Sequence, residues 1–207
     1  MRKEVQDLLL LNVNLRGQIV DKFSAMWEHN DAAHRIEHFD EVEQCGLYLL
    51  KALGKDYDPK LVLFTAYFHD LFAWSRENHH LLSAEFIIGT DHPLIASSLD
   101  HGDRRLVSAA CGEHRASYKG DFTYAFSELM NSADRGFPGD VSAMLERALE
   151  YRRSKGIHTD DAVKMRDDAI AHLKDKWGTG GYARFPKLYQ EVFERELTEQ
   201  RYQIDSL

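Results

Sequence analysis

Apolar residues recur at intervals of three or four along most of this sequence, which is the spacing of residues on one face of an α-helix. The pattern is clear around Ile19 and Phe23, and again around Val42, Leu49 and Leu53. No segment alternates apolar and polar residues as a half-buried strand does. The sequence therefore predicts an all-α protein of about eight helices.

The most apolar of these segments is Leu61–Phe68, which follows Asp58 and Pro59. Aspartate before proline is typical of a helix start, because the carboxylate caps the first turn and proline fits the first helical position. Since the segment is apolar on all sides, we expect it in the core. The other predicted helices cover residues 5–27, 34–53, 79–88, 103–114, 123–134, 140–153, 159–177 and 186–197.

The length of the chain predicts its domain organisation. Its 207 residues fit one domain of ordinary size, and no internal repeat or linker rich in proline or serine divides them. We therefore expect a single domain over residues 1–207, in which the helices of residues 140–199 complete a bundle.

Composition argues against several classes of function. Lysine and arginine total 26 against 34 aspartates and glutamates, which gives a net charge of −8, so no broad nucleic-acid surface is expected. No apolar run approaches the roughly 20 residues that cross a bilayer. We expect no secretory signal, and two cysteines, Cys45 and Cys111, are too few for a disulfide framework. These features predict a cytoplasmic protein.

The 11 histidines are the feature that points to chemistry. His34 and His38 are four residues apart and are predicted to share one helix face. His69 and Asp70 directly follow the most apolar segment, where a carboxylate is costly to bury unless it is paired or bound to a cation.

His114 and Asp134 also stand where the helical spacing predicts an apolar side chain. Taken alone, each has an ordinary explanation, as a partly exposed polar residue or a salt bridge at a helix end. Together with the first four residues they favour one inward-facing site, in which several helices each supply a ligand. Such a set of donors suits Mn, Fe, Co, Ni or Zn and does not select among them.

This constellation resembles the HD superfamily of metal-dependent phosphohydrolases. The shared pattern is a histidine like His38, the pair His69 and Asp70 after a hydrophobic helix, and a later aspartate like Asp134. The chain looks particularly like the small single-domain members that are predicted to be phosphohydrolases, over roughly residues 25–140. The resemblance implies an orthogonal helical bundle of the HD-domain type.

The resemblance also implies an activity. It implies that one tightly held divalent ion is bound by four ligands, His38, His69, Asp70 and Asp134. It also adds Mg to the candidate metal ions. That ion would polarise a phosphoryl oxygen and lower the pKa of a bound water toward roughly 7. The expected substrate is a small phosphate molecule, a nucleotide or a related ester or anhydride.

Further residues are assigned roles in this mechanism. His79 or His114, together with Asp70, is expected to serve catalysis, with an imidazole donating a proton to the leaving oxygen. The phosphate needs fixed positive charge, and four basic residues near the proposed site in sequence are candidates: Arg35, Arg76, Lys119 and Arg135. Each of these four also fits a solvated helix surface.

Two other functions stay open. His34 to His38 also matches the His-x-x-Glu-His pattern of inverzincin zinc metalloproteases, with Glu37 as general base. The other is a helical regulatory module that holds a nucleotide without hydrolysing it.

Leu71–Trp74 lacks the Glu-Asp pair that guanosine tetraphosphate hydrolases have after the His-Asp pair, which argues against that activity. The sequence leaves a homo-oligomer open.

Overall fold

The computed structural model describes residues 3–31 and 34–207, and these residues form twelve α-helices and no strand. The all-α prediction is confirmed, whereas the prediction of about eight helices is wrong. The helices are α1 (Gln6–Leu11), α2 (Val13–Trp27), α3 (Ile36–Ala52), α4 (Pro59–Phe68), α5 (His79–Gly89), α6 (Pro93–Ser98), α7 (His101–Glu113), α8 (Ala125–Ala133), α9 (Val141–Ser154), α10 (Ala162–Trp177), α11 (Lys187–Val192) and α12 (Glu194–Asp205). The chain divides into two compact units, one ending at Phe137 and the other covering Pro138–Leu207.

Helix α4 is the centre of the first unit and begins as predicted. The Asp58 carboxylate accepts a hydrogen bond from the backbone N–H of Lys60 at 2.9 Å, and Pro59 is the first helical residue. Every residue from Leu61 to Phe68 is buried. Helices α3 and α7 pack on α4, and α8 contacts all three. The ends of these four helices carry most of the site.

Helices α3, α4 and α8 approach one another closely at Gly46 of α3. A Cβ atom at this position would lie 2.7 Å from Cγ1 of Val62 and 3.3 Å from Sδ of Met130. Real Cβ contacts are longer than the first of these distances, so glycine is needed for this approach. The small residue therefore sets the spacing of three helices that bear site residues.

Two helix starts differ from the prediction. The helix expected over residues 5–27 is interrupted at Asn12, between α1 and α2. Helix α3 begins at Ile36, after Arg35 in an extended conformation. His34 therefore lies outside α3, and the prediction that it shares a helix face with His38 is wrong.

In the rest of the chain, the observed helices differ from the predicted ones in their capping residues and in the presence of short helices. Asp100 rather than Asp103 caps α7, since its carboxylate accepts from the Asp103 backbone N–H at 2.8 Å. Asp161 caps α10, which begins at Ala162 and not at residue 159. Helix α6 was not predicted. The single helix expected over residues 186–197 is two, α11 and α12, with the break at Phe193.

The second unit has a core of its own, formed by α9, α10 and α12. Its buried members include Leu145, Leu149, Ala169, Leu173 and Ile204. That the helices of residues 140–199 complete one domain with the first unit stays a prediction. None of the helices in the described part of the chain has the length and apolar character that crossing a bilayer requires.

Candidate metal centre

Seven of the side chains that the sequence singled out lie together in the first unit: His34, His38, His69, Asp70, His79, His114 and Asp134. We call these residues the cluster. His69, His114 and Asp134 follow directly on the last residues of α4, α7 and α8. A helix C-terminus carries a partial negative charge. Three such ends at one cluster favour a bound cation.

One set of ligand atoms is formed by His38, His69 and Asp134, which we call the first donor group. Nε2 of His38 lies 3.2 Å from Nε2 of His69 and 3.2 Å from Oδ1 of Asp134, and the third distance is 3.4 Å. Metal–ligand bonds of about 2.0–2.2 Å place neighbouring donor atoms about 3.0–3.4 Å apart. The first donor group already has this spacing.

Asp70 lies between the first donor group and two further histidines. Its Oδ2 is 3.3 Å from Nε2 of His69 and 3.8 Å from Nε2 of both His34 and His38. This oxygen therefore faces the first donor group, with His34 at its outer edge.

The other oxygen of Asp70 faces His79 and His114, which we call the second donor group. Oδ1 lies 3.3 Å from Nε2 of both rings, and the two nitrogens are 3.3 Å apart. Neither contact with Oδ1 has hydrogen-bond geometry, and none of the residues described here donates a hydrogen bond to this buried oxygen. Leaving such an oxygen unsatisfied is costly, which favours a cation beside it.

Four rings of the cluster are held by the nitrogen that faces away from it. Three of them donate Nδ1–H to the carbonyl three residues earlier, His69 to Ala66 at 2.9 Å, His79 to Arg76 at 3.1 Å and His114 to Cys111 at 2.7 Å. The Nδ1 of the fourth ring, His34, lies 2.5 Å from a carboxylate oxygen of Asp31. A carbonyl can only accept a hydrogen bond, so Nδ1 carries a proton in the first three rings and Nε2 is the nitrogen left to bind a metal, once it is unprotonated. This is the usual arrangement of histidines that bind metals.

Burial and neighbouring charges shift the pKa values of the buried groups in the cluster. Burial opposes charge on His69, but the carboxylates of Asp70 and Asp134 outweigh it and raise its pKa well above the usual range. Burial likewise opposes ionisation of the two aspartates, yet the neighbouring histidines hold their pKa values well below the usual range. Burial lowers the pKa of His79 to about 4. The two carboxylates are therefore ionised at neutral pH while His79 is neutral.

The structure describes the contacts of the four basic residues that were predicted to bind phosphate. The guanidinium of Arg76 contacts Asp31 at 2.6 Å, that of Arg35 approaches the carbonyl of Asn30 at 3.4 Å, and Lys119 is exposed. Within residues 3–31 and 34–207, no hydrogen bond or ion pair joins these side chains to the cluster. The fourth, Arg135, donates to the side-chain oxygen of Asn131 at 2.8 Å.

Sequence reasoning missed two buried asparagines that hold the segments bearing the ligands. The side-chain amide of Asn131 donates to the carbonyls of Glu113, His114 and Arg115 at 2.6, 2.9 and 3.2 Å. It thereby ties α8 to the end of α7. Asn30 makes comparable bonds on the other side of the cluster, to the carbonyls of His34 and Asp70. No periodic pattern marks such residues, because their partners are distant in sequence.

The cluster thus combines five imidazoles and two carboxylates, which are ligand types that divalent transition ions accept. Its two donor groups share Asp70. The C-termini of three helices, which carry a partial negative charge, lie at the cluster. Chemically, this arrangement is suited to binding a divalent cation. Comparison of the chain with protein-family models, with curated proteins and with solved structures gives no match.

Proposed function

We propose that this protein is a metal-dependent phosphohydrolase of the HD type, acting on a nucleotide or a related phosphate ester or anhydride. The observation that carries the proposal is the convergence of His38, His69, Asp70 and Asp134. Nε2 of His38 and Nε2 of His69 lie 3.2 Å from each other and 3.2–3.8 Å from carboxylate oxygens of both aspartates, although the residues come from three separate segments of the chain. The resemblance in their order and spacing along the sequence supports the reaction class.

The donor set also bears on which ion binds and how many. Five nitrogens and two carboxylates favour Mn, Fe, Co, Ni or Zn over Mg, which prefers oxygen ligands. We assign one ion to the first donor group with Oδ2 of Asp70, and a second to the second donor group with Oδ1. The second ion extends the expectation of a single tightly held one, because Oδ1 faces two imidazole nitrogens at equal distances of 3.3 Å.

A divalent ion bound here supplies a Lewis acid that polarises a phosphoryl oxygen and lowers the pKa of a water molecule. The protein's own part is to keep Asp70 ionised and to fix the orientation of the His69, His79 and His114 rings through their Nδ1–H bonds. His79 and His114 are only 12% and 4% exposed at their side chains, so we assign them to metal binding rather than to proton transfer. His34, at 24% exposed and held by Asp31, lies at the open edge.

The geometry counts against the metalloprotease. That mechanism needs both histidines and the glutamate of the motif around one ion. His34 lies outside α3, whereas Glu37 is an exposed residue of α3. A protease site would also leave Asp70 and the second donor group without a role.

The decisive experiment is elemental analysis of the purified protein, combined with a phosphate-release screen over nucleotides with added Mn²⁺, Co²⁺, Ni²⁺ and Mg²⁺. We expect bound transition metal and phosphate release. His69→Ala and Asp70→Ala should each abolish both while leaving the helical circular dichroism largely intact, and His34→Ala should do less. His80→Ala is the matched control, because His80 adjoins His79 in sequence but lies outside the cluster.

Two results would contradict the proposal. Peptide cleavage that depends on zinc and survives Asp70→Ala would indicate the protease. Nucleotide binding by calorimetry without phosphate release under any of the metals would indicate a module that binds without hydrolysing.

A further inference from the structure

Asn30 connects the metal centre to a helix that supplies none of the cluster residues. It follows α2, and its backbone N–H donates to the carbonyl of Trp27 at 2.9 Å, which fixes it to the end of that helix. Its side chain is buried, since only 2% of the residue is exposed. A buried amide needs hydrogen-bond partners, and the partners of Asn30 all belong to segments around the cluster.

The side chain of Asn30 bonds to three backbone groups. Nδ2 donates to the carbonyl of His34 at 3.1 Å and to the carbonyl of Asp70 at 2.9 Å, which uses both of its hydrogens. Oδ1 accepts from the backbone N–H of Trp74 at 3.1 Å. One amide therefore holds both ends of the turn from Asp70 to Trp74, and it joins that turn to the segment of His34.

We propose that Asn30 is a positioning residue of the metal centre, whose amide sets the orientation of Asp70 between the two donor groups. The inference rests on the proposed function insofar as it needs a metal to be bound. Asp70 presents a different oxygen to each donor group, so a small rotation of its backbone would move both oxygens at once. Productive sites tolerate displacements of only about 0.5 Å.

No other residue type reproduces this set of bonds. Aspartate has nearly the same shape and can accept from Trp74, but its ionised form cannot donate to two carbonyls. Leucine fills the space and makes no hydrogen bond. Glutamine carries the same amide on a chain that is one methylene longer, which displaces every partner.

The test is calorimetric titration of metal-free protein with Mn²⁺, at a temperature where the protein and its variants are all folded by circular dichroism. Removing a residue that supports metal ligands typically weakens binding about tenfold to a hundredfold, and we expect this for Asn30→Ala. Should that variant not fold, Asn30→Asp keeps the shape and removes the donors, and the same loss is expected. The visible spectrum of bound Co²⁺, which reports ligand geometry, should change as well.

Asn12→Ala is the matched control. Asn12 is also a buried asparagine at an end of α2, but the Nδ2 of its side chain has no hydrogen-bond partner among the residues that the structure describes. This variant should change neither the Mn²⁺ affinity nor the Co²⁺ spectrum.

The outcomes separate the two proposals. Unchanged Mn²⁺ affinity and Co²⁺ spectrum in the Asn30 variants overturn the positioning role, whatever the hydrolytic activity is. Metal binding by the unaltered protein without phosphate release overturns the hydrolase alone. Failure of the unaltered protein to bind any divalent ion overturns both.

Discussion

A single carboxylate serves both donor groups of the cluster. Oδ2 of Asp70 faces the first donor group, and Oδ1 faces the second at 3.3 Å from each ring. The two donor groups share no other residue. Metal stoichiometry is therefore the property that single substitutions should resolve.

His114→Ala should reduce the stoichiometry from two bound ions to one, because it removes a ligand of the second donor group and leaves the first complete. His38→Ala should disturb the first donor group instead. Elemental analysis after dialysis against dilute Mn²⁺ measures both, with His80→Ala retaining two ions. An unchanged ratio of two ions in His114→Ala would contradict the assignment.

The cluster should also give the metal-free protein a stability optimum near pH 6.5, the usual pKa of histidine. The raised pKa of His69 adds stability that is fully present below 6.5 and is lost as the pH rises through its folded value. The pKa of His79 falls from 6.5 to about 4, so its contribution is lost as the pH falls from 6.5 through 4.

Thermal unfolding with a chelator at pH 5, 6.5 and 8.5 measures this dependence. With Mn²⁺ in place of the chelator, stability should rise from pH 6.5 to 8.5, because the ion binds the unprotonated ring. A Tm that rises over the same interval in chelator would refute the assignment of a proton to His69.

At the scale of the helices, close packing at Gly46 sets the position of the ligands. Gly46→Ala places a Cβ 2.7 Å from Val62, and overpacking of this kind costs about 1–3 kcal/mol. Gly17→Ala is the matched control at an exposed position of helix α2, where nothing lies within 4 Å of the added Cβ, and it should stabilise by about 0.5–1 kcal/mol. Urea unfolding measures both. Equal effects of the two substitutions would contradict the packing argument.

Helix α4 was predictable because its signals are local, namely Asp58 and Pro59 followed by an unbroken apolar segment. The break at Asn12 was not, since the apolar spacing continues across it. Helix α6 was not predictable because its six residues are too few to show a helical period. The break between α11 and α12 falls at Phe193, which is fully buried, so packing determines it. Tertiary contacts override propensity in such places.

The site residues also divide into those marked by local signals and those that depend on tertiary contacts. His38, His69, Asp70, His114 and Asp134 were predictable because each is a titratable group where an apolar side chain is expected. Asn30, Asn131 and the pairing of Arg76 with Asp31 were not, because they depend on contacts between segments far apart in sequence. That Arg35, Arg76, Lys119 and Arg135 bind phosphate stays a prediction.

For the molecule as a whole, the ligands and the second core belong to different units. All seven cluster residues precede Phe137, whereas α9, α10 and α12 bury a separate group of apolar side chains. Substitutions that disrupt packing in the second core should therefore lower the free energy of unfolding without changing metal affinity.

Leu145→Ala tests this separation. Leu145 is 5% exposed in the second core, and truncation of a buried leucine costs about 2–5 kcal/mol. Mn²⁺ affinity measured on the folded variant should equal that of the unaltered protein. Val163→Ala is the control on the same unit, at a side chain that is 70% exposed. A weakened affinity in Leu145→Ala alone would show that the second unit supports the metal centre.

The bonds from His69 and His114, which follow α4 and α7, to carbonyls three residues earlier have a consequence for how the sequence can change in related chains. Each ring takes its direction from the local winding of the backbone, so one inserted or deleted residue just before it would turn the ring by about 100°. Exchanging the amino acids around these histidines leaves the winding intact. Related chains should therefore vary in composition at these helix ends while keeping the number of residues constant.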